Sequence, residues 1–82
     1  MEKELGRVTH YFDKAMVAVI KLSDSLSVGD NVKFVHSEHE FTQNVGSMEI
    51  DHKKVDSCKP GEEVAIKVSE KTHEGAKVFK VE

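Results

Sequence analysis

The fold class is decided by the stretch VTHYFDKAMVAVIKL, residues 8–22. Its first five residues combine β-branched and aromatic side chains, which is typical of a strand. From Met16 to Leu22 the even positions are apolar, and the odd positions are also apolar until Lys21. The pattern predicts two strands with a turn at residues 13–14. The second strand should be buried on both faces for part of its length, as a central barrel strand would be.

The rest of the chain repeats this short-strand pattern and contains no window with the periodicity of a long helix. Gly29, Gly61 and Gly75 each precede an apolar run, and residues 59–62, Lys-Pro-Gly-Glu, fit a type II turn. The apolar alternation changes phase at Gly46, which indicates a bulge or bend. Six or seven short strands follow from this count. The chain is therefore predicted to be all-β, as a small barrel or a sandwich.

Length and composition limit the possible classes of protein. The 82 residues correspond to one domain, residues 1–82 with a core over about 6–81. Twelve Lys and Arg against fifteen Asp and Glu give a net charge of −3, which excludes a strongly basic nucleic-acid binder. The longest apolar run, residues 15–20, is too short to cross a bilayer. With Cys58 as the single cysteine, we expect a soluble, cytoplasmic monomer without an intramolecular disulfide.

The alternation also predicts which side chains form the core. Truncating one of its central members should cost a large share of the stability of so small a domain. The predicted core consists of Val8, Met16, Ala18, Ile20, Leu22, Leu26, Val28, Val32, Phe34, Val45, Met48, Ile50, Val64, Ile66 and Val81.

Four motifs occur in an order that resembles a known family. They are Gly-Arg-Val at 6–8, Leu-Ser-Val-Gly-Asp at 26–30, Ser-Met-Glu-Ile-Asp-His at 47–52 and Pro-Gly-Glu-Glu-Val at 60–64. Over nearly the whole chain this order is similar to the second domain of translational GTPases of the elongation factor Tu and eukaryotic elongation factor 1-alpha type. The resemblance implies a closed, six- to seven-stranded, Greek-key-like β-barrel.

The same resemblance implies a binding function. The nucleotide-binding pattern Gly-x-x-x-x-Gly-Lys-(Ser/Thr) is absent from the sequence, so no GTP hydrolysis is expected. The factors bind aminoacyl-tRNA partly through this domain. The family glutamate near the pocket for the terminal adenosine falls on Glu49, and His52 stands where the bacterial factors carry an arginine. Lys53 and Lys54 would neutralise phosphates, and Tyr11 is the one aromatic side chain expected to be exposed. The implied function is a non-catalytic module that contacts RNA (tRNA or rRNA) or a translation component.

A second resemblance leads to a different class of function. The same barrel type looks like a small domain attached to collagenase-like peptidases of bacteria and archaea, where it accompanies catalysis without performing it. In that case the partner would be a protein. Its contact surface should then lie near Tyr11 and Phe12, because interface cores favour aromatic side chains over lysine.

Neither resemblance implies that the chain is an enzyme, and none of its reactive side chains predicts catalysis. Residues 36–40, His-Ser-Glu-His-Glu, could contribute metal ligands, but a solvated hairpin is the preferred interpretation. Cys58 next to Lys59 could be a reactive thiol, but a buried, inert cysteine is preferred. Residues 23–25, Ser-Asp-Ser, lack the spacing of a nucleophile elbow. We therefore expect no catalytic residue, no metal and no cofactor.

Overall fold

The computed structural model describes residues 2–81, and about 61% of these residues are in strands. The described residues contain no helix, and hence none long and apolar enough to cross a membrane. There are ten strands: β1 (Glu2–Phe12), β2 (Val17–Leu22), β3 (Leu26–Ser27), β4 (Asn31–His36), β5 (His39–Asn44), β6 (Met48–Ile50), β7 (Lys53–Val55), β8 (Ser57–Cys58), β9 (Glu63–Lys67) and β10 (Lys77–Val81).

Eight strands form one sheet in the order β5-β4-β10-β1-β2-β9-β6-β7, and β3 pairs with β8 in a small second sheet. All of these pairings are antiparallel. The turn at residues 59–62 matches the type II prediction, because Gly61 has φ 92° and the Glu62 amide donates to the Lys59 carbonyl at 3.2 Å. The hairpin predicted around residues 13–14 is also present, between β1 and β2.

The long strand β1 bends at two bulges. Its pairing with β10 shifts between Glu4 and Gly6, and its pairing with β2 shifts between Val8 and His10. Each bulge inserts one extra residue into β1 and increases the local twist. The second bulge also changes which side chains face the core. Before it Val8 points inward and is buried, whereas after it the inward position falls on Tyr11.

The prediction of a closed barrel is wrong, because no backbone ladder joins the edge strands of the main sheet within residues 2–81. The edge of β9 that β5 would need is already paired with β6. Side chains bridge the gap instead. The Gln43 amide donates to the Lys67 carbonyl at 2.9 Å, and its oxygen accepts from the Ser69 amide at 2.7 Å. The all-β class is confirmed, but the sheet is open and has more strands than predicted.

The core lies on one face of the main sheet and includes Leu26 and Cys58 of the β3–β8 pair. Most of the predicted members are buried. The prediction that Val28 belongs to the core is wrong, because Val28 lies in the turn at residues 27–30, after β3, and is 41% exposed. Met16, Ile50 and Val81 are only partly buried. The buried side chain of Cys58 was predicted, but the prediction missed six other buried side chains: Leu5, Phe41, Val68, Thr72, Ala76 and Val78.

Candidate interaction surface

The face of the main sheet that points away from the core is called the outer face. It carries one row of side chains in register across five strands. The pairs are His10 with Val19, Val19 with Ala65, Ala65 with Glu49, and Glu49 with Lys54. Side chains that are paired across neighbouring antiparallel strands point to the same face. Because alanine is the smallest side chain of the row and stands at its middle, the surface is depressed there.

This depression is a groove of about 620 Å³. Its floor is apolar and contains the half-buried side chains of Val17, Val19 and Ala65. Phe12 forms part of its wall and is 55% exposed, an unusual exposure for so large an apolar side chain. The complete lining is His10, Phe12, Ala15, Val17, Val19, Glu49, Asp51, His52, Glu63 and Ala65.

The rim of the groove is acidic. Glu49, Asp51 and Glu63 all line it, and the lining contains no lysine or arginine. Within residues 2–81 neither Glu49 nor Asp51 takes part in a side-chain hydrogen bond or an ion pair. Glu63 accepts a hydrogen bond from the Thr9 hydroxyl at 3.1 Å. The groove therefore combines an apolar floor with carboxylates that lack a cationic partner.

The hairpin of β6 and β7 brings two of the predicted site residues into the groove. Its two-residue turn consists of Asp51 and His52, with φ 51° and 66°, which is the left-handed geometry of a type I′ hairpin turn. Glu49 and His52 line the groove, as described above. Lys54 stands opposite Glu49, whereas Lys53 stands opposite Ile50 and so belongs to the other face of the hairpin. The two lysines thus do not form one basic surface.

Tyr11 is not the exposed aromatic residue. Its side chain is half-buried against the core, and its hydroxyl lies 3.3 Å from the sulfur of Met16. Phe12 is the exposed ring instead, because the bulge between Val8 and His10 exchanges the faces of β1. Of the predicted site residues, the structure brings together Glu49 and His52, with Lys54 beside them, and leaves Tyr11 and Lys53 elsewhere.

The side chains of the histidine-rich segment, residues 36–40, are not arranged as the ligands of a metal ion. The rings of His36 and His73 are 4.8 Å apart, and His39 lies 3.9 Å from a carboxylate oxygen of Glu70. Within residues 2–81 no three His, Cys, Asp or Glu side chains converge as a metal site would require. These contacts connect the β4–β5 hairpin to the loop between β9 and β10.

Cys58 lies in β8, opposite Leu26 of β3, and its side chain is buried. Burial, with a smaller contribution from the Glu62 carboxylate, raises the pKa of the thiol. Because the thiolate is the reactive form, the raised pKa and the burial both reduce the reactivity of this residue. The geometry is that of a packing cysteine.

We therefore expect Cys58 to react slowly with a thiol reagent at pH 8. The native protein should be modified at least about tenfold more slowly than the unfolded chain. A matched control is the double variant Ser57→Cys, Cys58→Ser, which moves the thiol to the neighbouring exposed position of the same strand. Equal rates for the native protein and this control would show that Cys58 is accessible.

Comparison with known proteins relates the chain to peptidases. No model of a known protein family matches it. It is 35% identical over 77 residues to an uncharacterized protease of Methanocaldococcus jannaschii. That alignment covers 93% of this chain and 19% of the protease, so the chain spans less than a quarter of the relative's length.

Solved structures extend this relation to the fold. The C-terminal domain of a Geobacillus thermoleovorans protein described as a U32 peptidase superimposes with a TM-score of 0.91, at 22% identity, over 98% of this chain and 93% of that domain. The chain has the fold of that C-terminal domain. The selenomethionine variant of the same domain gives a TM-score of 0.87, at 22% identity, over 93% of this chain and 96% of that domain.

These relatives overturn the resemblance to elongation factors. The sequence relative and the superimposable domains come from proteins described as peptidases, and none is a translation factor. Two of the four motifs that carried the resemblance, at residues 26–30 and 60–64, lie at tight turns. Glycine and proline are favoured at such turns in any fold, so these two motifs do not separate one small all-β domain from another. The interpretation as a translation component that binds tRNA or rRNA is therefore withdrawn.

Proposed function

We propose that the chain is a non-catalytic accessory domain of a collagenase-like peptidase and that it acts by binding a protein. The observation that carries this proposal is the match to a fraction of a longer protease, together with a superposition on a separate C-terminal domain. In the Geobacillus thermoleovorans protein, the segment with this size and fold is the C-terminal domain of a protein described as a U32 peptidase. The groove on the outer face, with an exposed phenylalanine, is the kind of surface that protein partners use.

The reactive groups of the chain support a non-catalytic role. Its one thiol is buried and has a raised pKa, which is the reverse of what a nucleophilic cysteine needs. The groove contains two histidines and three carboxylates but no serine, threonine or cysteine that could act as a nucleophile. Binding is therefore the better use of this surface.

An exchange of domains tests the proposal. The chain replaces the C-terminal domain of the Geobacillus thermoleovorans peptidase, and hydrolysis of gelatin is compared among the intact protein, a version without the domain and the exchanged version. We expect the exchanged protein to recover most of the activity that deletion removes, because the two domains superimpose over nearly their full length. The isolated chain should not cleave gelatin.

Two outcomes would contradict the proposal. The first is an exchanged protein that is no more active than the deleted version, although circular dichroism shows that its β-domain is folded. The second is hydrolysis by the isolated chain that persists after further purification and follows the protein through a sizing column.

A further inference from the structure

We infer that the groove on the outer face binds a segment of a partner protein in which apolar side chains alternate with lysine or arginine. This inference rests on the proposed function, because it names the chemistry of the protein that the domain would bind. The occupant is a cationic, apolar polypeptide segment.

The floor fits an apolar side chain. Phe12 exposes more than half of its surface, and Val17 and Val19 are only partly covered. Ala65 stands between Val19 and Glu49 in the cross-strand row, so its short side chain leaves room for a group from outside. An apolar side chain placed on this floor would remove further apolar surface from water, which stabilises the contact.

The rim fits positive charge. Glu49 and Asp51 have no ion-pair or side-chain hydrogen-bond partner within residues 2–81, and Glu63 accepts only the Thr9 hydroxyl. Three carboxylates around an apolar floor repel acidic or phosphate-bearing partners and attract ammonium or guanidinium groups. Nucleic acid is therefore disfavoured at this surface.

The positive groups near the rim do not cancel this charge. Three lysines lie on the same face: Lys54 stands opposite Glu49, Lys21 opposite Glu63 and Lys67 opposite Val17, but none of them is within ion-pair distance of a rim carboxylate. None of the three lines the groove. The basic side chains that do line it are the imidazoles of His10 and His52.

The experiment is a titration of the isotope-labelled 82-residue chain with a peptide in which lysine alternates with leucine and phenylalanine, read by backbone amide NMR shifts. We expect the shifts to concentrate at residues 15–19, 49–52 and 63–65, and the affinity to fall with added salt, because exposed charges are screened. Three other probes should leave these residues unperturbed: the same peptide with glutamate for lysine, the same peptide with serine for the apolar residues, and a short single-stranded RNA.

Variants assign the binding to the groove. Ala65→Leu fills the depression from the outward face and should weaken peptide binding by at least about tenfold, which is about 1.4 kcal/mol. Glu49→Gln together with Asp51→Asn should weaken it by about three- to tenfold, as expected for two exposed charge pairs, and asparagine keeps the left-handed turn. The matched control is Glu38→Gln with Glu40→Gln, which removes the same charge from the distant β4–β5 hairpin and should leave the affinity unchanged.

Several results would overturn the inference: no shift at millimolar peptide, equal binding of the glutamate peptide, or RNA perturbing the same residues. Unchanged affinity of Ala65→Leu would also overturn it, and if that variant unfolds, Phe12→Ser provides the same test from the exposed wall. Failure here is distinguishable from failure of the proposed function. An active domain exchange without peptide binding refutes only the groove, whereas peptide binding with an inactive exchange refutes only the accessory role.

Discussion

Gly6→Ala is expected to destabilise the domain by about 3 kcal/mol, near the upper end of the usual cost of overpacking. Gly6 lies in β1 and is paired with Leu22 on one side and Val78 on the other. A Cβ atom at this position would stand 2.1 Å from the Lys21 carbonyl oxygen. That oxygen belongs to the backbone of β2, so it can move away only if the pairing of β1 and β2 is disturbed.

The matched control for this prediction is Gly46→Ala. Gly46 lies in the connection between β5 and β6, and a Cβ atom added there meets no atom within 4 Å. Its replacement should change the free energy of unfolding by less than about 1 kcal/mol, with the entropy of the unfolded chain favouring the variant. Urea denaturation of both variants measures the difference. Equal stabilities would mean that β1 and β2 are not in close contact at Gly6.

Ile20→Ala should cost about 2–5 kcal/mol of the free energy of unfolding. Ile20 is fully buried in β2, between Val8 of β1 and Val64 of β9. Removal of its side chain leaves a cavity among neighbours that belong to three paired strands and cannot easily collapse into it. For a domain of this size the loss is a large part of the total stability.

The control is Val28→Ala. It tests whether Val28 belongs to the core, as the alternation of apolar residues predicts, or is exposed, as in the structure. Alternation of apolar residues assigns Val28 to the core, whereas the structure leaves it 41% exposed. Its truncation should therefore stay within about 0.5 kcal/mol. Thermal unfolding followed by circular dichroism ranks the two variants. A loss at Val28 comparable to that at Ile20 would contradict the placement of the loop after β3.

Local patterns were sufficient to predict the longer strands and several of the turns. The run of residues 17–20 is apolar on both faces because its inner side chains fill the core and its outer ones form the groove floor. The turn at Pro60 follows from the restricted backbone of proline and the permissive backbone of glycine. Closure of the sheet could not be predicted in this way, because it depends on distant partners: β6 occupies the edge of β9, and Gln43 bridges the remaining gap.

The candidate site was predicted only in part. Glu49 and His52 were selected for a resemblance that proved wrong, yet both lie in the groove. The groove itself is formed by Val19 and Ala65, which are 46 positions apart in the sequence and meet only through the pairing of β2 with β9. No local signal marks such a pair. The exposure of Phe12 was missed for another reason, because strict alternation of faces along β1 does not include the extra residue at Thr9.

The bulge at Thr9 makes the length of β1 as important as its composition. With one residue more between Val8 and Tyr11 and the bulge kept, the period of two would place Phe12 in the core and Tyr11 on the outer face. A single-codon insertion would leave the amino-acid content almost unchanged and yet replace the hydrocarbon wall of the groove with a phenol. Single-residue insertions in this short segment are therefore a route by which related domains could change partners while keeping the same core.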